Sequence, residues 1–110
     1  MGKGSKNTSI EREGEELVLE KEEIKKPRQY TIVFFNDDFT TQEFVVHVLM
    51  QFFYKNAQEA FLLMLKVHKE GRAQVGIFSK DVALSKVAMI TSYSRQNGMP
   101  LVVKAEIVES

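Results

Sequence analysis

The composition of the chain changes at Pro27, and this change limits a packed fold to the residues that follow it. Residues 1–26 are rich in charged residues, glycine and other polar residues, and their one apolar cluster is Leu-Val-Leu at 17–19. Such a segment cannot bury enough apolar surface to offset the entropy lost on ordering. We therefore expect residues 1–27 to be a flexible N-terminal extension and residues 28–110 to form a single core domain.

Patterns typical of strands and helices alternate after Pro27. Strands are expected where β-branched and aromatic residues are concentrated, and helices where apolar residues recur every three to four positions. The segments in chain order are strand 28–36, helices 40–53 and 56–70, strand 72–78, helix 80–97 and strand 101–108. This order, β-α-α-β-α-β, predicts an α+β domain in which a small three-stranded antiparallel sheet packs against three helices.

Polar residues at the segment boundaries are typical of helix caps. Thr40 and Glu43 have the spacing of a capping box at the start of the first helix, and Asn56 and Glu59 have it at the second. Gly71 is expected to end the second helix, because glycine readily adopts the left-handed conformation found after helix termini. The third helix is expected to start after Ser79 and to end at Asn97-Gly98.

Composition narrows the possible functions. Lysine plus arginine equal aspartate plus glutamate at 15 each, and from Tyr30 onward the basic residues are not clustered, which argues against nucleic acid as a partner. The chain has no cysteine, so thiolate catalysis and cysteine-ligated zinc are excluded. Its longest apolar runs are far shorter than the roughly 20 residues of a membrane-spanning helix. We expect a cytoplasmic protein that does not bind membranes.

The sequence FFNDDFT at residues 34–40 places one amide and two carboxylates at the end of a predicted strand. All three residue types favour turns, because their side chains bond to nearby backbone amides, so the cluster is consistent with a simple turn. One aspartate would suffice for that purpose. The additional acceptors at Asn36, Asp37 and Asp38 also fit the edge of a site for a positively charged group.

Each of the two histidines could likewise be a structural residue or part of a functional site. His68 lies on an apolar stripe in the last turn of the second predicted helix, which is typical of a core or rim residue, whereas His47 falls on the outward side of the first helix. Two histidines and two aspartates are enough ligands for a metal in principle. However, the histidines lie on different faces, and no serine occupies a strand-to-helix elbow of the GxSxG type. We expect no metal, no cofactor and no catalytic residue.

Recognition of a ligand is the class of function that remains. If Asn36, Asp37 and His68 converge, they place hydrogen-bond acceptors beside a hole lined by Val45, Met64 and Val67. A ligand with an ammonium group next to a large apolar side chain fits this arrangement. The amino terminus of a polypeptide that begins with a bulky hydrophobic residue is the commonest such ligand.

Several segments resemble the ClpS adaptors, which deliver N-degron substrates to AAA+ unfoldases of the ClpA or ClpC type for degradation by ClpP. The similar segments are YTIVFFNDDFT, TQEFVVHVL, LMLKVHKEGRAQVGIFS, DVALSKVAMI and MPLVV, which together cover nearly all of the chain after Pro27. The resemblance implies a non-enzymatic adaptor, acting as a monomer, for proteins that begin with Phe, Leu, Tyr or Trp.

The resemblance also implies roles for individual residues. Asn36, Asp37 and His68 match the residues that bind the α-amino group of the substrate, and Asp38 matches a supporting and capping residue. Residues implied to form the hydrophobic pocket are Thr40, Gln42, Val45, Met64, Val67 and Leu101. Asp81 and Lys86, at the start of the third helix, match the surface that contacts the N-terminal domain of the unfoldase. The extension would be the segment on which the unfoldase pulls.

The chain departs from the family at Thr41-Gln42, where Pro-Met is common. The methionine of that pair restricts the pocket against β-branched side chains, and Gln42 has a similar length but carries an amide. The set of accepted side chains therefore stays open. A protein-interaction module of the same fold that has lost amine recognition is the alternative function, and a metal-dependent enzyme is a third.

Overall fold

The computed structural model describes residues 27–109, which contain three strands and three helices in the predicted order. The elements are β1 (Gln29–Phe35), α1 (Gln42–Phe53), α2 (Ala57–Glu70), β2 (Arg72–Ser79), α3 (Lys80–Gln96) and β3 (Val102–Ile107). The α+β fold class is confirmed. The flexible extension predicted for residues 1–27 lies, except for Pro27, outside the described residues.

Strand β1 is the centre of the sheet and pairs antiparallel with β2 on one side and with β3 on the other. Phe34 lies opposite Ala73 of β2 and Val103 of β3. The pairing with β2 shifts register between Ile32 and Val33, so Val75 has no partner on β1. Such a bulge increases the local twist of a strand without ending its pairing.

The core lies between one face of this sheet and the helices. Ile32 and Phe34 of β1 are fully buried, because α1, α2 and α3 supply apolar side chains that cover them. Burying a side chain of this size contributes roughly 1.5–3 kcal/mol to stability. The fully buried apolar residues contributed by the helices are Val48, Leu49, Ala60, Ala83 and Ile90.

The start of α1 differs from the prediction. Thr41, not Thr40, is the N-cap, and its hydroxyl oxygen accepts a hydrogen bond of 3.1 Å from the amide of Phe44. The hydroxyl of Thr40 is not available for this role because it donates to the Asp37 carboxylate at 2.6 Å. The predicted Thr40–Glu43 capping box was therefore wrong by one residue.

The other predicted caps are confirmed. Asn56 and Glu59 form a reciprocal capping box at the start of α2, with bonds of 2.8 and 3.1 Å. Gly71 ends α2 in the left-handed region at φ 85°, and Ser79 caps α3. None of the helices within residues 27–109 combines the length and the apolar character that crossing a bilayer requires.

Candidate functional site

Asp37 organises the loop that joins β1 to α1. Its Oδ1 atom accepts hydrogen bonds from the amides of Phe39 and Thr40 at 2.8 and 2.7 Å, and its Oδ2 atom accepts the Thr40 hydroxyl bond. The supporting role predicted for Asp38 therefore belongs to Asp37. Asp38 is exposed, and its carboxylate bonds to no other residue within 27–109. The assignment of this role to Asp38 is wrong because two adjacent aspartates offer the same chemistry, and sequence alone does not say which one faces the loop.

Asp37 keeps its charge in this position. Partial burial acts to raise the pKa of the carboxyl, but the bonds from Thr40 and Phe39 and the attraction of Arg95 together hold that pKa below its ordinary value of 3.8. A carboxylate offers about four lone-pair positions. Three of them are used within the loop, so Oδ2 retains capacity for one further donor.

One backbone hydrogen bond brings the second half of the candidate site to this loop. The amide of Asn36 donates to the carbonyl oxygen of Gly71 at 2.9 Å, which joins the end of β1 to the end of α2. His68 lies in the last turn of α2, where its imidazole is exposed. His68 therefore lines the same cavity as Asn36 and Asp37.

His47 lies elsewhere. It is exposed on α1, where its Nε2 atom is 2.8 Å from the hydroxyl of Tyr93 on α3. The prediction that the two histidines occupy different faces agrees with this placement. Within residues 27–109, no three His, Cys, Asp or Glu side chains are grouped so that they could hold a metal ion.

The cavity between the loop and α2 has a volume of about 460 Å³. Its buried floor is apolar and consists of Val45, Met64 and Val67. Above the floor lie Asp37 and Thr40, which are half-buried. The exposed rim is formed by Asn36, Asp38, Phe39, Thr41, Gln42, Glu43 and His68. An apolar floor beneath convergent polar groups is the usual arrangement of a small-ligand site.

Five of the six residues predicted for the hydrophobic pocket line this cavity, and Leu101 does not. Leu101 is 1% exposed and belongs to the core. Its carbonyl oxygen accepts a bond of 2.9 Å from Arg95, the residue whose charge acts on Asp37. Phe39 and Arg95 are not among the predicted site residues, and Glu43 is predicted only as part of a helix cap. An aromatic residue inside a polar turn was the one signal that pointed to Phe39.

The two α3 residues predicted to contact an unfoldase differ in exposure. Asp81 is exposed in the first turn, whereas Lys86 is half-buried and its Nζ atom donates to the carbonyl oxygen of Phe52 at 2.7 Å. The rings around this ammonium are those of Phe53, Tyr54 and Phe78, with centroids at 5.3, 5.9 and 5.5 Å. Lys86 thus holds the C-terminal end of α1, where Tyr54 adopts a left-handed conformation at φ 55°.

A larger cavity of about 810 Å³ lies at the opposite end of the sheet. It is lined by Pro27, Arg28, Gln29, Ser79, Ile107, Val108 and Glu109, which include both ends of the described part of the chain. Its lining has one basic and one acidic side chain and no group of acceptors comparable to that at Asn36 and Asp37. Size alone therefore does not make it the better candidate for ligand binding.

Comparison with known proteins finds one family with similar sequences. The family model described as "ATP-dependent Clp protease adaptor protein ClpS" matches residues 25–104. The ClpS adapter of Deinococcus radiodurans is 47% identical over 94 residues, which are 86% of this chain and 83% of that protein. The ClpS adapter of Burkholderia mallei is 45% identical over 86 residues, which are 76% of this chain and 83% of that protein.

A solved structure is similar to this chain in both fold and sequence. It is the structure of Agrobacterium tumefaciens ClpS2 bound to L-phenylalaninamide. The TM-score is 0.73 and the sequence identity is 30%, and the match covers 76% of this chain and 100% of that one. Its ligand combines a free α-amino group with a benzyl side chain.

Proposed function

This chain belongs to the ClpS family of ATP-dependent Clp protease adaptor proteins, and we propose that it binds proteins through a free amino terminus that begins with a bulky hydrophobic residue. The protein acts as an adaptor without catalysis of its own. It delivers these substrates to an AAA+ unfoldase of the ClpA or ClpC type for degradation by ClpP, in the cytoplasm.

One observation carries this proposal: Asn36, Asp37 and His68 line a cavity whose floor is apolar. The substrate ammonium donates to the Asn36 side-chain oxygen, to the open position on Asp37 Oδ2 and to a neutral nitrogen of His68. Hydrogen bonds to an ammonium contribute about 1.5–3 kcal/mol each. The L-phenylalaninamide bound to the Agrobacterium relative likewise has a free α-amino group and a large apolar side chain.

The side chain of the first substrate residue enters the cavity above Val45, Met64 and Val67. Removing a Leu or Phe side chain from water there contributes roughly 1.5–3 kcal/mol. Thr40 and Gln42 border the opening. Because Gln42 presents an amide at this border, the preference among Phe, Leu, Tyr and Trp is set partly by a polar group.

Delivery uses a different part of the molecule. We assign the contact with the N-terminal domain of the unfoldase to the start of α3, where Asp81 is exposed. Lys86 is assigned a supporting role at this surface, because its ammonium already donates to the carbonyl oxygen of Phe52. Residues 1–26 supply the extension on which the unfoldase acts. Removing them should leave peptide affinity unchanged and impair delivery.

The direct test is a titration with labelled peptides that begin with Phe or Leu, each with a free and with an acetylated amino terminus. The free forms should bind and the acetylated forms should lose most of their affinity, because acetylation removes the charge and two of the donors. Equal affinity of the two forms would contradict amine capture. It would favour the alternative, an interaction module of the same fold that does not recognise amino termini.

A further inference from the structure

Phe39 is the rim residue whose side chain is least suited to contact with water. The rim of the cavity, as defined above, is otherwise polar, and Phe39 is its only large apolar side chain among the described residues. The side chain is 79% exposed. Exposing an aromatic ring of this size leaves a considerable apolar area in water.

The turn does not require this ring. The loop uses only the backbone of Phe39, whose amide donates to Asp37 Oδ1 at 2.8 Å. No described aromatic ring stacks on the Phe39 ring, and the ring is not part of the core. The hydrogen bond nevertheless fixes the residue beside the acceptors, so the ring is held at the mouth of the cavity.

A peptide bound as proposed must cross this rim. Its ammonium lies at Asn36, Asp37 and His68, and its first side chain occupies the floor. Its second residue therefore leaves the cavity over exposed groups, of which Phe39 alone offers an apolar surface. A bulky apolar second side chain that covers this ring removes apolar area of both partners from water.

We propose that Phe39 is a specificity-determining residue that contacts the side chain of the second substrate residue and favours bulky apolar side chains over glycine at that position. This inference rests on the proposed function, because it requires the first residue to be anchored in the cavity. It adds a second point at which the adaptor reads its substrate.

The test compares three ligands on the full-length chain: a peptide beginning Phe-Leu, the same peptide beginning Phe-Gly, and L-phenylalaninamide, which has no second residue. The wild-type chain should bind the Phe-Leu peptide roughly threefold to tenfold more tightly than the Phe-Gly peptide. Phe39→Ala should abolish this difference and change the affinity for L-phenylalaninamide by less than about twofold. Phe39→Tyr keeps the ring and should restore the preference.

Phe61→Ala is the matched control. Phe61 is 50% exposed on α2 and does not line the cavity, so its removal should leave all three affinities unchanged. Equal binding of the two peptides by the wild-type chain, or a loss of L-phenylalaninamide affinity in Phe39→Ala as large as that for Phe-Leu, would overturn the inference alone. Failure of the wild-type chain to bind L-phenylalaninamide would instead overturn the proposed function on which it rests.

Discussion

At the C-terminal end of α1, the ammonium of Lys86 donates to the Phe52 carbonyl and lies over three aromatic rings. The cavity near the N-terminal end of the same helix is instead lined by the carboxylate of Asp37, the amide of Asn36 and the imidazole of His68. Both ends thus carry groups suited to a positively charged nitrogen. Among residues 27–109, the chain itself supplies that nitrogen at the C-terminal end, through Lys86.

The difference follows from the origin of each ammonium. Lys86 is tethered to α3, so binding its ammonium costs only side-chain entropy, up to about 2 kcal/mol. A neutral carbonyl and aromatic rings are sufficient for this. A free ligand loses translational and rotational freedom worth an estimated 4–15 kcal/mol. The open end therefore needs a full negative charge and an apolar floor. We infer that α1 has a structural end and a binding end.

Removing the charge at the binding end should have the largest effect. Asp37→Asn keeps the shape of the loop, because the amide oxygen can still accept from Phe39 and Thr40, but it removes the carboxylate. We expect peptides beginning with Phe to bind about tenfold to hundredfold more weakly, as measured by fluorescence anisotropy.

Asp38→Asn is the control for that substitution, because Asp38 is exposed on the same rim and bonds to no other residue within 27–109. It should change affinity by less than about twofold. Equal losses in the two variants would mean that the rim acts through its overall charge and not through one carboxylate.

Removing the charge at the structural end should change stability and not affinity. Lys86→Met leaves the Phe52 carbonyl without its donor and the rings without a cation, so we expect the free energy of unfolding to fall by about 1–3 kcal/mol in urea titrations. Peptide affinity should be unchanged. Lys66→Met, at an exposed position of α2, should alter neither quantity. A large loss of peptide affinity in Lys86→Met would show that the two ends are coupled.

The pH dependence tests His68 separately from Asp37. A protonated imidazole is a cation that accepts no hydrogen bond. We therefore expect affinity to fall roughly tenfold when the pH is lowered from 8 to 5. His68→Gln should flatten the profile, and His47→Gln should not. A flat profile in the wild-type chain would remove His68 from the acceptors.

Asp37 does not contribute to that profile, because its pKa lies below 3.8 and the carboxylate stays ionised from pH 8 to 5. A carboxyl whose pKa is lowered by folding stabilises the folded chain above its unfolded-state pKa. That contribution is lost as the pH falls through the lowered folded-state value. We therefore expect any loss of stability due to Asp37 only below the range in which affinity is measured.

The smallest effect concerns the helix cap at the binding end. Thr41→Ala removes the acceptor for the Phe44 amide and should lower the free energy of unfolding by about 1 kcal/mol. Thr41→Ser keeps the cap and should change it by only a few tenths of that value. If thermal unfolding instead shows no loss in Thr41→Ala, this threonine does not cap α1.

The fold was predictable from the sequence because its signals are local. Apolar periodicity gave the order of the elements, and Asn56, Gly71 and Ser79 marked helix boundaries through bonds within a few residues. The first cap was missed because Thr40 has two possible partners, and the one that it takes, Asp37, lies outside the helix. Periodicity contains no information about that competition.

The residue types of the candidate site were predictable, but the role of each individual residue was less so. Asn36, Asp37 and His68 stood out as acceptors, but the supporting bonds within the loop are made by Asp37 and not by Asp38. The surroundings of Lys86 were not foreseen at all. They combine the end of α1, β2 and α3, and only tertiary packing brings these elements together. The bulge at Val75 escaped notice for the same reason.

The hydrogen bond between the Asn36 amide and the Gly71 carbonyl has a thermodynamic consequence. The two halves of the candidate site come from segments that separate when the domain unfolds, so a ligand that contacts both binds only the folded state. Each tenfold rise in ligand concentration above its dissociation constant then adds about 1.4 kcal/mol to the free energy of unfolding. The domain would therefore be hardest to unfold while a ligand occupies the cavity.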